Sequence, residues 1–590
     1  MNAHLATIRD RLNDCYPLED SQYAFEQIEL RLAPFLEKKA PLAQDSNRWS
    51  QQDSVLITYG DTFLSEEVPL KTLHQFLNIH IKDAISTVHI LPFFPYSSDD
   101  GFSVIDYTQV NPDFGDWSDI EKINEDYDLM VDLIINHISR ESLWFTDFKA
   151  NIAPFNTFFI EMEGSEDISQ VTRPRNTPLL VPAYTHRGRK MVWATFSADQ
   201  IDLNFSNPQV LLKMIDILML YLQKGVRVIR MDAIAFLWKK LGTSCIHLPE
   251  THAMVKLFRE VIAVVSPNSL LLTETNVPHL ENLSYFGQQD EAHMVYQFAL
   301  APLVLHALHR GDGRYLTDWA NNLETPPPGC TFLNFTASHD GIGVRPIEGI
   351  LPQREVEDLI TSMHRLGGFV TTKTNPDGSE SPYEINIALF SAFRETYHSN
   401  GPDQWQVDRF ICSQNIMMTL QGIPAFYIHS LVATPSDREG VEKTGRTRAI
   451  NRRHWEFDYL QALIESGRTS NAEVLKRIVN ILQRRKKHKA FHPDTPQQII
   501  DLGTDFFALW RDGDGLKFPL LAIHNLTNDI KMVNVSDIEG TQRFSYWVNL
   551  MDNGVVSSQE QQYVLKPYQS IWLMPETVDH VSALWAPYTD

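Results

Sequence analysis

The chain has 590 residues, of which 43% are hydrophobic and 21% are charged, as is usual for a soluble globular protein. Its formal net charge of -23 argues against nucleic acid or an anionic membrane as the main partner, although a local group of arginines and lysines can still hold an anionic substrate. This length is too great for one core, so we expect a large domain with insertions and a smaller second domain.

The cysteines and the start of the chain indicate a compartment. The four cysteines are scattered and form no CxxC pair, which disfavours a disulfide framework or a cysteine-zinc site and favours a reducing environment. The start of the chain contains no uncharged apolar segment of signal-peptide length, and no run is long enough to span a membrane. We therefore expect a cytoplasmic protein.

The order of apolar segments predicts the main fold. Residues 1–50 alternate apolar and charged positions at helical spacing and predict an N-terminal extension of two or three helices. The predicted strands that follow, separated by helical segments, are SVLITYG, TVHILPFFP, LMVDLIINH, GVRVIRMDAIAF, SLLLTETN, HMVYQFAL, TFLNFTASHD and GIPAFYIHS. This alternation predicts an α/β protein with a (β/α)₈ barrel over residues 51–490. An open doubly wound sheet is the alternative, but the chain lacks a glycine-rich phosphate loop at the required place.

Two long stretches interrupt the barrel pattern, and a different pattern follows it. Residues from about 138 to 199 are rich in proline and arginine and lack periodicity, and residues from about 347 to 392 separate the last two strands. We predict both to be inserted subdomains. Over residues 491–590, short alternating segments such as DFFALWR and FSYWVNL, broken by Gly, Asn and Asp, predict an antiparallel β-domain.

The fourth predicted strand runs from apolar residues into charge. Arg230 and Asp232 stand two apart in IRMD, so their side chains point to the same side of the strand. At the carboxyl end of a barrel strand both would reach the mouth, where parallel barrels hold their active sites. An ion pair that only closes the strand end is the structural alternative.

Other predicted strands also end in polar residues. These are Asp99, Asn136, His137, Glu274, His339 and Asp340. In a parallel barrel they converge on one mouth. Three carboxylates gathered with histidines and an arginine fit retaining glycoside chemistry, in which one carboxylate attacks the sugar and another protonates the leaving oxygen. We interpret His89 and His429, by contrast, as core histidines.

Five sequence blocks carry a family resemblance. The blocks DLIINH, GVRVIRMDA, TETN and FTASHD, with QIDLNFSNP, resemble the signature regions of the α-amylase superfamily in the same order. The resemblance implies that Asp232 is the nucleophile, Glu274 the general acid/base and Asp340 the stabiliser of the transition state. Arg230 would orient Asp232 and keep it ionised. The residues that the resemblance implies for glucose binding are Asp99, Phe102, His137, Phe196, Gln200, His339 and Arg448.

The chain further resembles the sucrose phosphorylase branch of that superfamily. The segments that carry this resemblance are HILPFFPYSSDDGF, TRPR, YQFALAPLVLHAL and RAINRRHW. In this branch phosphate, in place of water, attacks a glucosyl-enzyme and releases α-glucose 1-phosphate. The resemblance implies phosphate as co-substrate, no cofactor and no metal; we also expect a monomer or homodimer. It also implies that Arg175 binds phosphate, for which an ordinary surface arginine is the alternative.

The second insertion bears on the choice of acceptor. The helical start and NPDGSESPYEIN resemble the glucosylglycerate phosphorylases, and Tyr383 and Glu384 stand where sucrose phosphorylases carry part of an Asp-Leu-Tyr-Gln run. A glycerate carboxylate needs a cation, for which Lys373, Arg345 and Arg175 are candidates; a solvated loop residue is the alternative for the first two. We predict phosphorolysis of 2-O-α-D-glucosylglycerate. Sucrose as the substrate is the alternative, followed by hydrolysis of an α-glucoside and by non-catalytic sugar binding.

Overall fold

A closed barrel of eight parallel strands forms the centre of the protein. The structure, a computed structural model, describes residues 3–36, 48–374, 379–399, 401–513, 516–557 and 562–576. The barrel strands are β1 Val55–Thr58, β2 Thr87–Ile90, β3 Asp128–Ile134, β4 Val226–Asp232, β5 Leu270–Thr273, β6 Met294–Tyr296, β7 Thr331–Phe335 and β8 Ile423–Tyr427. Each strand pairs with the next along the chain, and β8 pairs with β1. The predicted (β/α)₈ barrel is confirmed.

The register of β3 and β4 brings charged residues of the two strands side by side. Both strands are almost wholly buried, which accounts for their apolar runs. Arg230 of β4 lies directly beside Asp132 of β3. The predicted strand GVRVIRMDAIAF ends earlier than predicted, at Asp232, because Ala233 has a left-handed φ of 51° and a 3₁₀ turn, Ile234–Phe236, follows. The strand therefore stops at its charged residue.

Helices follow most of the barrel strands. Asp116 and Asp119 form a capping box at one helix start, and Asn207 caps another that begins with Pro208. The α-helices are Ala3–Cys15, Leu18–Leu36, Pro69–His80, Trp117–Asp126, Leu143–Ala150, Pro208–Gln223, Pro249–Val265, His279–Leu283, Leu300–Arg310, Arg314–Asn321, Gln353–Arg365, Leu389–Ala392, Gln406–Thr419, Ile428–Leu431, Arg438–Thr444, Phe457–Glu465 and Ser470–Arg485. Among these described helices, none combines the length and apolar character needed to cross a membrane.

The N-terminal extension packs against the barrel through buried apolar side chains. Its helices Ala3–Cys15 and Leu18–Leu36 contribute Leu12 and other apolar residues to the main hydrophobic core. The Tyr16 hydroxyl donates a 2.8 Å hydrogen bond to the carbonyl of Phe205. Because this core continues from the extension into the barrel, residue 50 as a domain boundary stays a prediction.

Both insertions contain small sheets. The first holds an antiparallel sheet of the strands Glu161–Met162, Leu180–Thr185 and Gly188–Trp193. In the second, Phe369–Thr374 pairs with Glu380–Asn386, which also pairs with Ile342–Gly343. Two further pairs are Phe63–Leu64 with Trp455–Glu456 and His137–Ser139 with Gln200–Asp202. These pairings connect the loops that follow the barrel strands.

The C-terminal part is an antiparallel β-domain, as predicted. Its strands are β9 Gln497–Ile500, β10 Phe506–Arg511, β11 Leu520–Asn525, β12 Tyr546–Asn549, β13 Val555–Ser557 and β14 Ser570–Glu576, in the spatial order β9-β10-β11-β14-β12-β13. A separate pair joins Lys531–Val533 to Tyr563–Leu565. Phe507 and Leu509 belong to the main core, whereas Phe506 and Trp510 belong to a second core on the other face. Since one face shares the main core, the boundary near residue 490 stays a prediction.

Candidate active site

The carboxyl ends of the barrel strands open into a cavity of about 730 Å³, a volume that includes space open to solvent. Most of the residues predicted from the sequence line it, namely Asp99, Phe102, His137, Arg175, Phe196, Gln200, Asp232, Glu274, His339, Asp340, Arg345, Tyr383, Glu384 and Arg448. Arg230 and Lys373 are not part of the lining. The barrel and its two insertions thus bring distant segments of the chain to one place.

Arg230 supports Asp232 through a buried network that crosses several strands. Its Nη1 donates a 2.8 Å hydrogen bond to Asp232 and also contacts Asp132, while its Nε donates to the Tyr296 hydroxyl at 3.2 Å. His89 Nε2 lies 2.6 Å from Asp132. Although burial favours the neutral carboxyl, Arg230 and His89 lower the pKa of Asp132 to about 2. Asp132 thus stays ionised and balances the charge of Arg230. The Asp232 carboxylate is therefore not needed for that balance and can react with a ligand in the cavity.

Asp232 and Glu274 meet the cavity from the ends of neighbouring strands, β4 and β5. Burial raises the pKa of Asp232, and the charge of Arg230 opposes that rise. Burial also raises the pKa of Glu274 to about 7, with further repulsion from Asp232 and Asp340. The Ala233 backbone N–H donates a 3.0 Å hydrogen bond to Glu274 Oε2. A carboxyl group with a pKa near 7 can give and take a proton at neutral pH.

Asp340 is held ionised by arginines. Arg448 Nη1 lies 2.7 Å from Asp340 Oδ1, and Arg452 Nη2 lies 3.8 Å from the same oxygen. Although burial favours the neutral form, the charges of Arg448 and Arg452 hold the pKa of Asp340 well below its usual range. Arg448 also binds Glu384, through Nη2 at 2.6 Å and Nε at 3.1 Å. An anionic carboxylate here suits the positive charge that develops on a sugar ring during glycoside cleavage.

One wall of the cavity combines hydrogen-bonding groups with aromatic rings. Gln200 Nε2 lies 3.2 Å from His137 Nε2 and 3.4 Å from Asp99 Oδ2. The His339 ring is stacked on Phe102, with centroids 4.8 Å apart. Burial lowers the pKa of His339 well below its usual value, so the ring is neutral at neutral pH. Such a wall can meet both the hydroxyl groups and the apolar face of a sugar.

Arginines from the loops form another part of the lining. Arg175, in the first insertion, lies over the ring of Tyr383 in the second, 5.5 Å from its centroid. Arg345 lines the same cavity just before the second insertion. Within the described part of the chain, neither arginine pairs with a carboxylate. Lys373 lies outside the lining, with its Nζ 3.6 Å from Glu348 Oε1, so its role with an acceptor stays a prediction.

Comparisons with known proteins place the chain in a family. Residues 80–325 match the family described as alpha amylase, catalytic domain. The chain is 44% identical to a glucosylglycerate phosphorylase of Spirochaeta thermophila, over 89% of this chain and 90% of that protein. The chain belongs to the sucrose phosphorylase branch of the α-amylase superfamily. The chain is also 29% identical to the sucrose phosphorylase of Agrobacterium vitis, over 76% of this chain and 91% of that protein.

A solved structure shows the same fold. The crystal structure of sucrose 6F-phosphate phosphorylase from Thermoanaerobacter thermosaccharolyticum superposes on this protein with a TM-score of 0.70 at 25% identity. The match covers 80% of this chain and 94% of that chain. The shared part is long enough to include the barrel that carries the cavity.

Sequence reasoning missed two supporting residues of this branch member. Asp132 stands inside the DLIINH block, where an acid within an apolar strand was the available signal. Arg452 donates a 2.9 Å hydrogen bond to the His339 carbonyl and lies 2.5 Å from Asp100; no pattern distinguished it from its neighbours in RAINRRHW. His89 is a buried histidine, as predicted, but its ring supports Asp132. All three act through contacts between strands or loops, which sequence spacing does not reveal.

Among the described residues, the side chains of the cavity form no recognisable metal centre. Over the described ranges, no group of three or more His, Cys, Asp or Glu side chains has an arrangement that could hold a metal ion. The carboxylates Asp232, Glu274 and Asp340 have arginine or backbone N–H partners. Catalysis by this branch member without metal or cofactor stays a prediction.

Proposed function

We propose that this protein is a retaining phosphorylase that converts 2-O-α-D-glucosylglycerate and phosphate, reversibly, to α-D-glucose 1-phosphate and glycerate. The observation that carries the proposal is the charge arrangement of one cavity. Of its five carboxylates, Asp232, Asp340 and Glu384 pair with arginines, whereas two further arginines of the lining, Arg175 and Arg345, have no carboxylate partner among the described residues. A substrate made of a neutral sugar and an anion, followed by a phosphate anion, fits such a cavity.

The relatives support glycerate as the acceptor. The relative named for glucosylglycerate is more similar to this chain, and over a larger share of it, than the relative named for sucrose. Glycerate carries a carboxylate and needs a cation, whereas fructose is neutral and does not. We therefore propose glucosylglycerate as the substrate and keep sucrose as the second candidate.

In the first half-reaction, Asp232 attacks C1 of glucose from the side opposite to glycerate. The bond between C1 and the glycerate oxygen breaks while Glu274 gives its proton to that oxygen, so glycerate leaves with a free hydroxyl. An ester between C1 and Asp232 remains, with inverted configuration. Arg230 keeps the nucleophile ionised through its 2.8 Å hydrogen bond, and Asp340 stabilises the positive charge on the ring.

In the second half-reaction, phosphate occupies the space that glycerate has left. A phosphate oxygen attacks C1, the ester bond to Asp232 breaks, and the proton of hydrogen phosphate passes to the Glu274 carboxylate. Two inversions restore the α configuration. We assign phosphate to Arg175, whose guanidinium can bind two phosphate oxygens, with Tyr383 packed against it. This scheme uses phosphate as co-substrate and no cofactor.

The remaining side chains of the cavity are assigned to glucose. Arg448 is fixed by Asp340 and Glu384 before substrate arrives, which preorganises that side. The side chains that we assign to the glucose hydroxyls and ring are Asp99, Phe102, His137, Phe196, Gln200, His339 and Arg448. A cytoplasmic location, supported by the cysteine pattern, and a monomeric or homodimeric state complete the proposal.

Product analysis tests this function. The purified protein is incubated with phosphate and either 2-O-α-D-glucosylglycerate or sucrose, and glucose 1-phosphate, glucose and the released acceptor are measured. We expect glucose 1-phosphate and glycerate in equal amounts, and at least about tenfold slower turnover of sucrose. Glucose 1-phosphate from sucrose and none from glucosylglycerate would contradict the proposal. An excess of free glucose would identify a hydrolase, and no product from either sugar would favour a binding barrel.

A further inference from the structure

Arg345 lines the cavity together with Glu274 and the segment that follows it. It begins the 3₁₀ turn Arg345–Ile347, two residues after Gly343. The Gly343 backbone packs so closely on Asn276 that a Cβ at position 343 would lie 2.8 Å from Asn276 Oδ1. Asn276 is two residues after Glu274, and both line the cavity. Because Glu274 exchanges a proton with the oxygen that joins glucose to the acceptor, this part of the lining faces the acceptor.

The charge of Arg345 is uncompensated by any carboxylate among the described residues. Its Nε is buried and makes no hydrogen bond within the described part of the chain, which leaves a donor for a ligand. Burial, with a further contribution from the charge of Arg345, lowers the pKa of the neighbouring Lys373 ammonium. Lys373 at least has Glu348, 3.6 Å away. Arg345 and Lys373 are therefore close enough for their charges to repel each other.

The other arginines of the lining are already engaged. Arg448 binds Asp340 and Glu384, so its charge is compensated within the protein. Arg175 comes from the other insertion, and the proposed function assigns it to phosphate. Arg345 remains for the second anion of the reaction.

We propose that Arg345 binds the carboxylate of glycerate and thereby selects 2-hydroxy acids as acceptors. The inference rests on the proposed function. In a 2-O-linked glycerate, the carboxylate is bonded to the carbon that carries the glycosidic oxygen. A guanidinium that binds both carboxylate oxygens therefore also fixes that oxygen relative to Glu274. A neutral alcohol such as glycerol leaves the Arg345 charge without this partner.

A glucosyl donor that releases neither glycerate nor phosphate allows the use of these two anions as acceptors to be measured separately. With α-D-glucosyl fluoride, Asp232 forms the ester with C1 as the C1–F bond breaks and fluoride leaves with the electron pair. The glucosyl-enzyme is then offered glycerate, lactate, glycerol or phosphate, and the rate of each product is measured. The attacking hydroxyl gives its proton to Glu274 as the ester to Asp232 breaks. We expect the wild-type protein to use both hydroxy acids in preference to glycerol.

Three variants carry the test. Arg345→Gln should lower kcat/KM for glycerate by about 10- to 100-fold, the effect of losing a charged hydrogen-bonded pair. Its use of phosphate should change by less than about threefold, because the proposed function assigns phosphate to Arg175. Arg345→Lys keeps the charge without the planar fork and should be intermediate for glycerate. Arg354→Gln makes the same charge change on an exposed position of the helix Gln353–Arg365 and serves as the matched control.

The outcomes separate the inference from the function on which it rests. Equal losses with glycerate and phosphate, or no loss with glycerate, would overturn the role of Arg345. Turnover of glucosyl fluoride with phosphate also shows that a variant is folded. If Arg345→Gln lacks that turnover altogether, Arg345→Lys decides by the same ratio of the two acceptors. If the wild-type protein makes glucose 1-phosphate from glucosyl fluoride but never glucosylates glycerate, the proposed function itself fails and the inference fails with it.

Discussion

The cavity has two halves that differ in how their charges are compensated. In the glucose half, Asp232 has Arg230 at 2.8 Å and Asp340 has Arg448 at 2.7 Å. In the acceptor half, Arg175 and Arg345 have no carboxylate partner in the described part of the chain. In the proposed scheme, Asp232 and Asp340 of the half assigned to glucose have their own counter-ions, whereas the half that meets anions leaves the counter-charge to the substrates.

Loss of the nucleophile should break the glucose half most completely. Asp232→Asn should lower kcat by at least about 10⁴-fold, because an amide cannot attack C1. Arg230 keeps Asp132 as its counter-ion, so the unfolding temperature should stay within about 4 °C of the wild-type value. Steady-state rates and thermal unfolding measure the two effects. Turnover at the wild-type rate would refute the role of Asp232.

Loss of the general acid should separate donors by their leaving group. Glu274→Gln should lower kcat/KM for glucosylglycerate by about 10²- to 10⁴-fold, because the glycerate oxygen leaves without a proton. Formation of the glucosyl-enzyme from α-D-glucosyl fluoride, which needs no proton, should fall by less than about tenfold. Fluoride release in a single turnover measures this step. Equal losses with both donors would show that Glu274 does not act as the acid.

Loss of the phosphate arginine should affect the acceptor half alone. Arg175→Gln should raise KM for phosphate by about 10- to 100-fold, the effect of losing a charged hydrogen-bonded pair. The value of kcat/KM for glucosylglycerate, which reports the first half-reaction, should change by less than about threefold. Phosphate titration at saturating donor measures the first effect. A loss of the same size in kcat/KM for glucosylglycerate would show that Arg175 does not act on phosphate alone, which contradicts the division of the cavity into two halves.

Within one pH unit, the pH dependence should show the smallest of these effects. Burial raises the pKa of Glu274 to about 7, so kcat/KM for glucosylglycerate should fall about tenfold per pH unit above pH 7 as the acid loses its proton. At low pH activity should fall as Asp232, whose pKa burial also raises, gains a proton. Because the two groups interact, the apparent pKa values belong to the pair. A profile with α-D-glucosyl fluoride should lack the alkaline fall; the same fall with both donors would assign it to another group.

The glucose half could be predicted from the sequence because its signals are local. Apolar segments that alternate with helical ones indicate a barrel, and polar residues at strand ends share its mouth. Asp232, Glu274 and Asp340 follow β-prone segments directly, so their common location required only the fold. Their supports were less visible. Asp132 reaches Arg230 through the pairing of β3 with β4, which sequence spacing does not determine.

The acceptor half could be predicted only as a set of candidates. Lys373, Arg345 and Arg175 were all candidates for the glycerate carboxylate in the sequence, since the direction of a loop side chain depends on contacts between loops. The structure distinguishes them: two line the cavity, and Lys373 lies outside the lining beside Glu348. The position of Arg345 depends on the packing of Gly343 against Asn276, between segments far apart in the chain. No periodicity or motif encodes such a contact.

The central claim is that the charges of the acceptor half are balanced by its substrates. A competition between acceptors tests this claim most directly. The glucosyl-enzyme is formed from α-D-glucosyl fluoride in the presence of equal concentrations of glycerate and glycerol, and both products are measured. Glucosylglycerate should exceed glucosylglycerol by at least about tenfold, and the excess should shrink as salt is added. Equal amounts of the two products, or an excess of glucosylglycerol, would contradict this division of the cavity.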